Sequence, residues 1–118
     1  MKFLVLMAEE DTWNRWNALS DGEQQAVFDR FTAFTKAVEE RGTVIAGEAL
    51  DRPELARTVR PGPDRQVTDG PYAETAEQLT GFYIVDTSDL DDLVEVCKVL
   101  GQGEGVIEVR ECKGGSSS

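Results

Sequence analysis

Asp69-Gly70-Pro71-Tyr72-Ala73-Glu74, running through Thr75-Ala76-Glu77-Gln78 into Leu79-Thr80-Gly81-Phe82-Tyr83-Ile84-Val85-Asp86, is the stretch on which the fold turns. Its first three residues are turn formers. Aspartate accepts hydrogen bonds from backbone N–H groups just downstream, glycine takes positive φ without a steric cost, and proline presets its own φ. Phe82-Tyr83-Ile84-Val85 is a β-branched and aromatic run without proline, so residues 79–86 are predicted to form a central strand. Gly81 inside that strand leaves room for another backbone to approach closely.

Upstream, residues 57–60 and 65–68 read as two short strands around the turn formers Pro61-Gly62-Pro63-Asp64, and residues 43–50 as a further strand. Before these, Ser20 and Glu23 have the spacing of a capping box. Val27, Phe31, Phe34 and Val38 then recur at steps of four, three and four along one helical face. Arg41 supplies a cation in the last turn, and Gly42 a residue that tolerates a left-handed helix exit. Residues 2–8 form a short continuous apolar run, which suits a buried central strand.

Downstream, Ser88 followed by Asp91 signals a helix start. Leu90, Leu93, Val94, Cys97 and Leu100 share one face up to Gly101. After a flexible segment at 101–105, residues 106–112 alternate, with Ile107 and Val109 on one side and Glu108 and Arg110 on the other. The predicted architecture is α+β: a ferredoxin-like βαβ(ββ)βαβ order with an antiparallel sheet and two main helices.

The 118 residues fit one domain at 1–113, followed by a Gly/Ser tail at 114–118 with linker composition. A composition of 40% hydrophobic and 30% charged residues is that of a globular domain rather than a disordered one. The 23 acidic and 12 basic residues give a net charge of -11, which argues against nucleic acid and anionic membranes as partners. Arg52, Arg57, Arg60 and Arg65 are interleaved with Asp51, Glu54 and Asp64, and read as a mixed surface or an anion pocket.

Cys97 and Cys112 have no CxxC spacing and the chain has no histidine, so no metal and no cofactor are expected. The apolar start is too short for a signal peptide, and no apolar stretch approaches 18 residues; a cytoplasmic location is the expectation.

Asp69-Gly70-Pro71-Tyr72-Ala73-Glu74-Thr75, with Glu77-Gln78-Leu79 and Gly81-Phe82-Tyr83 behind it, resembles the signature of the YCII-related family, in the branch named for its DGPF motif. Trp16 before Leu19-Ser20, Gly47-Glu48, Thr58-Val59-Arg60 and Val109-Arg110 also look like family positions. The resemblance implies a dimeric α/β barrel, in which a ferredoxin-like protomer pairs its sheet with a second copy and leaves a pocket between sheet and helices. Some relatives are cofactor-free lyases or isomerases, and several members sit beside sigma factors. Many members carry a histidine on the first helix as part of a proposed acid/base dyad. Phe31 stands at that position here, so no mechanism through that imidazole is open to this chain.

Two readings stand for each candidate site. Asp69 is either part of a rigid turn or a proton carrier at a pocket rim. Tyr72 and Glu74, two apart, either offer a phenol and a carboxylate to one ligand or serve packing and an ion pair. Arg60 is a fork for a carboxylate or enolate oxygen or a strand-end charge. Trp13 and Trp16 cover a pocket or simply pack. Glu9, Glu10 and Asp11 are a solvated turn or oxygen ligands for a hard cation.

The function expected is small-molecule binding with cofactor-free acid/base chemistry of lyase, isomerase or cyclase type on a small polar organic substrate. Asp69, Tyr72 and Glu74 would be catalytic, with Arg60, Trp16, Phe31 and Glu48 binding substrate. The rival is a non-catalytic homodimer that binds a ligand or regulates, with a sigma factor as a partner by family analogy.

Overall fold

The computed structural model describes residues 1–100 and 105–114. All but residue 105 of the expected flexible segment at 101–105, and all but residue 114 of the expected tail at 114–118, lie outside the described residues.

Strand β1, Lys2–Glu10, sends Phe3, Val5 and Met7 to a buried face by simple alternation. Four further strands lie along the chain before the last helix: β2 Thr43–Ala49, β3 Arg57–Val59, β4 Val67–Asp69 and β5 Glu77–Asp86; β6 Val106–Glu111 follows it. The main sheet has the order β2-β5-β1-β6, antiparallel throughout, with Phe3 opposite Val85 and Val5 opposite Tyr83. That order is compatible with the ferredoxin-like plan, and the strand predicted at 79–86 is central. β3 and β4 form a separate two-stranded sheet, with Thr58 opposite Thr68.

Among the described residues there are three α-helices: α1 Thr12–Ala18, α2 Asp21–Glu39 and α3 Leu90–Cys97. The α2 capping box is complete. The Glu23 amide donates to Ser20 Oγ at 3.2 Å, and the Ser20 amide donates to Glu23 Oε1 at 3.0 Å. Phe34 and Val38 from the expected stripe are buried against Phe3, Val5, Val85, Leu93, Val96 and Cys97, while Val27 and Phe31 are half-buried. Each large apolar side chain so enclosed contributes about 1.5–3 kcal/mol.

Several local expectations are corrected. Asp89, not Ser88, caps α3, its carboxylate accepting from the Asp92 amide at 3.1 Å. The inward face of α3 is Leu93, Val96 and Cys97, which pack into the cluster formed by Phe3, Val5 and Val85 of the sheet and Phe34 and Val38 of α2, leaving Leu90 and Val94 exposed. Gly42 does not take a left-handed exit; a Cβ there would lie 2.0 Å from the Asp86 carbonyl oxygen, so close approach to β5 is what requires glycine. Arg41 lies just past the end of α2 rather than in its last turn, which holds Lys36, but its Nη1 still donates to the Ala37 carbonyl at 2.8 Å.

The molecule is a plate of 47 × 46 × 18 Å with a radius of gyration of 16.1 Å, where about 13–14 Å is usual for this length. The core cluster on one face of the sheet is built with α2 and α3. Leu4, Leu6, Phe82 and Ile84 are cross-strand partners on the opposite face and lie outside that cluster. Val5, between Leu4 and Leu6 on the same strand, points the other way and belongs to the core. Gly81 is used as predicted: a Cβ there would meet the Glu48 carbonyl oxygen at 2.9 Å.

Candidate functional site

A cleft of about 560 Å³ opens where four parts of the chain converge. β1 contributes Glu9, and the entry to α1 contributes Asp11, Trp13 and Asn14. A 3₁₀ turn at Pro53–Leu55 with the preceding Arg52 forms a second wall. Asp69, Gly70 and Pro71 form a third, and the start of β5 closes the base with Gln78, Leu79 and Thr80.

The α1 wall is held by local bonds. Asp11 adopts φ 54°, and its Oδ1 accepts from Asn14 Nδ2 at 2.8 Å; Thr12 Oγ1 donates to Glu9 Oε2 at 3.0 Å. The Arg52 guanidinium lies 5.8 Å from the centre of the Trp13 ring, a cation–π contact that links the first two walls.

The turn after β4 is fixed from both sides. Gly70 has φ +92°, a conformation that glycine alone adopts without strain. Its amide donates to the Ala56 carbonyl at 2.7 Å, and its carbonyl accepts from Thr58 Oγ1 at 2.8 Å. Gln78 Nε2 donates to the Ala73 and Thr75 carbonyls at 2.9 and 2.7 Å, which pins the second half of the motif to β5. Those bonds give Asp69-Gly70-Pro71 the structural role expected of a turn, and also present it to the cleft.

Of the residues singled out from sequence for the site, Asp69 lines the cleft. It is the last residue of β4, and its Oδ1 lies 3.5 Å from Arg57 Nε, with a side chain 87% exposed. A pair so open to water is worth under about 1 kcal/mol. Tyr72 is 78% exposed, and it and Glu74 lie outside the cleft lining. Arg60 donates from Nε to Thr68 Oγ1 at 3.1 Å, also outside it. Trp16 packs edge-on against Phe28, with ring centres 5.4 Å apart. Phe31 is on α2, and Glu48 sits opposite Phe82 on β2.

Trp13, Arg52, Glu9 and Glu54 take the places at the cleft. The sequence offers Trp13 as one of two tryptophans that cover a pocket or simply pack, and Arg52 as part of a mixed surface or an anion pocket; Trp16 packs on Phe28, while the structure puts Trp13 and Arg52 at the cleft. Their meeting depends on how the chain leaves β2, which no local spacing encodes.

The family model for the YCII-related domain matches residues 1–114. This chain belongs to the YCII-related family. An uncharacterized protein of Rhizobium meliloti (strain 1021) is similar to it, 32% identical over 98 residues that cover 80% of this chain and 79% of the relative. The YCII-related chain keeps its two thiols away from the cleft: Cys97 is buried in the core, where desolvation pushes its thiol up to about 11, and Cys112 is half-buried after β6. Among the described residues, no group of three or more cysteine and carboxylate side chains is placed to hold a metal ion, and no helix is long and apolar enough to cross a membrane.

Proposed function

We propose that this chain is a homodimeric small-molecule-binding protein whose ligand occupies the cleft between Trp13 and the Asp69-Gly70-Pro71 turn. The observation that carries the reading is the cleft itself, which joins the motif turn to an aromatic wall from a distant part of the chain. Its lining has four carboxylates, Glu9, Asp11, Glu54 and Asp69, against the single guanidinium of Arg52. That balance favours a small polar molecule with a cationic or neutral nitrogen group over an anion, and replaces the anion fork expected of Arg60.

Thermal shift and calorimetry with size-matched amines and carboxylates test the reading. Amines stabilise the wild type, and Trp13→Ala abolishes the effect, whereas Trp16→Ala lowers the unligated Tm and leaves binding intact. Absence of stabilisation by every member of both sets, at millimolar concentration, removes the cleft as a ligand site.

A second reading, cofactor-free acid/base chemistry of lyase, isomerase or cyclase type, is supported by the place of Asp69 on the cleft wall. In it Asp69 carries the proton, and Asp69→Asn lowers turnover at least 100-fold while ligand binding persists. Full turnover by that variant would leave Asp69 to the turn.

The homodimer is supported by the apolar Leu4, Leu6, Phe82 and Ile84 face and by an accessible surface of 8140 Å², where roughly 6,300 Å² is usual for this mass. Light scattering across micromolar concentrations checks it, and a monomer throughout contradicts it.

A further inference from the structure

We infer that the β3–β4 hairpin is an interface arm that packs its Val59 and Val67 side chains against the acidic body of a second copy of this chain; the inference rests on the homodimer proposed above. The hairpin is a sheet of its own, hydrogen-bonded to none of the four main strands. An isolated two-stranded hairpin is marginally stable in water and needs a surface to pack on.

The register puts Val59 directly opposite Val67, on the same face as the Arg57–Asp69 pair. Both valines are more than half exposed, at 54% and 58%, and Leu55 at the root of the arm is 65% exposed. Thr58 and Thr68, on the other face, are half-buried and spend their hydroxyls on Gly70 and Arg60. The arm therefore turns its threonine hydroxyls inward and leaves Val59 and Val67 in water beside the exposed Arg57–Asp69 pair, the reverse of what a hairpin facing only water would do with its valines.

Charge identifies the occupant. Residues 56–70 contain Arg57, Arg60 and Arg65 against Asp64 and Asp69, a net charge of +1; the whole chain is at -11, so the remainder is at -12. Two such bodies repel one another at long range, and the arm is the basic, apolar element that each can offer to the acidic surface of the other. The surface beyond that of a compact chain exceeds the roughly 800 Å² per partner that a standard interface needs.

Sedimentation equilibrium on wild type, Val59→Asp and Val67→Asp tests the arm, with far-UV circular dichroism as the folding control. Dimer affinity is expected to fall at least 10-fold in each variant with the spectrum unchanged. Hydrogen exchange on the wild type supplies a readout that needs no variant. Amides at 57–59 and 67–69 exchange at least 10-fold more slowly above the dimer dissociation constant than below it. A dimer indifferent to both substitutions, with arm amides exchanging equally in the two states, overturns the arm while leaving the dimer. A wild type that stays monomeric overturns the dimer, and the arm with it.

Discussion

The amide of Gly70 donates to the carbonyl of Ala56 at 2.7 Å, tying the motif turn to the root of the hairpin arm. Thr58 closes the same junction by donating to the Gly70 carbonyl at 2.8 Å. The cleft wall and the arm are thus one mechanical unit, and a change at Gly70 is felt in both. Gly70→Ala forces a side chain onto φ +92° and is expected to cost about 1–2 kcal/mol; Thr58→Val, which removes one donor, costs about 1 kcal/mol. Urea denaturation of the two variants measures both. A Gly70→Ala protein as stable as wild type would mean that the turn relaxes into another conformation.

Gly42→Ala places a methyl group 2.0 Å from the Asp86 carbonyl oxygen, an atom fixed by the central strand. The expected loss is at least ~3 kcal/mol, seen as a large fall in urea midpoint. Gly22→Ala is the control, since a Cβ there meets nothing within 4 Å and the residue is helical. That variant is expected to gain up to ~1 kcal/mol.

Cys97 sets a limit at alkaline pH. Burial raises its thiol from the usual 9.0 to about 11, so the folded chain holds a proton that the unfolded chain releases first. Its contribution is complete below pH 9 and is lost as pH rises toward 11, on the order of 2–3 kcal/mol in all. Denaturation at pH 8 and 10.5 of wild type and Cys97→Ala isolates it, because the variant lacks this part of the decline. In the native protein, a thiol reagent should modify Cys112 well before Cys97.

The capping box carries the acid-side counterpart. The Ser20 amide and hydroxyl hold the Glu23 carboxyl below its ordinary range. That contribution is present above the unfolded carboxylate's pKa and disappears as pH falls through the lower folded value. Ser20→Ala is expected to cost about 1 kcal/mol at neutral pH, and Glu23→Gln to flatten the stability profile between pH 5 and 3. Circular dichroism melts across that range decide the point.

Most of the architecture was legible because it rests on local chemistry. Ser20 and Glu23 announce the start of α2, Phe34 and Val38 its buried stripe, and residues 82–85 the central strand. Ser88 and Asp89 are equally good caps by residue type, so local chemistry does not separate them, and the structure uses Asp89. Val5 and its neighbours on β1 are all apolar, so the alternation that separates core from outer face left no mark in composition.

What the sequence determined by itself is the kind of turn at Asp69-Gly70-Pro71, the α+β order of elements, and the exclusion of imidazole chemistry by the absence of histidine. Those follow from backbone preferences and from side-chain inventory, which are properties of residues and near neighbours. Tertiary structure decided that Asp69 meets Trp13 and Arg52 across a cleft while Tyr72, Glu74 and Arg60 stand apart from it. Convergence of segments so far apart along the chain is set by sheet register and by the path of the chain between strands, and no local spacing records either.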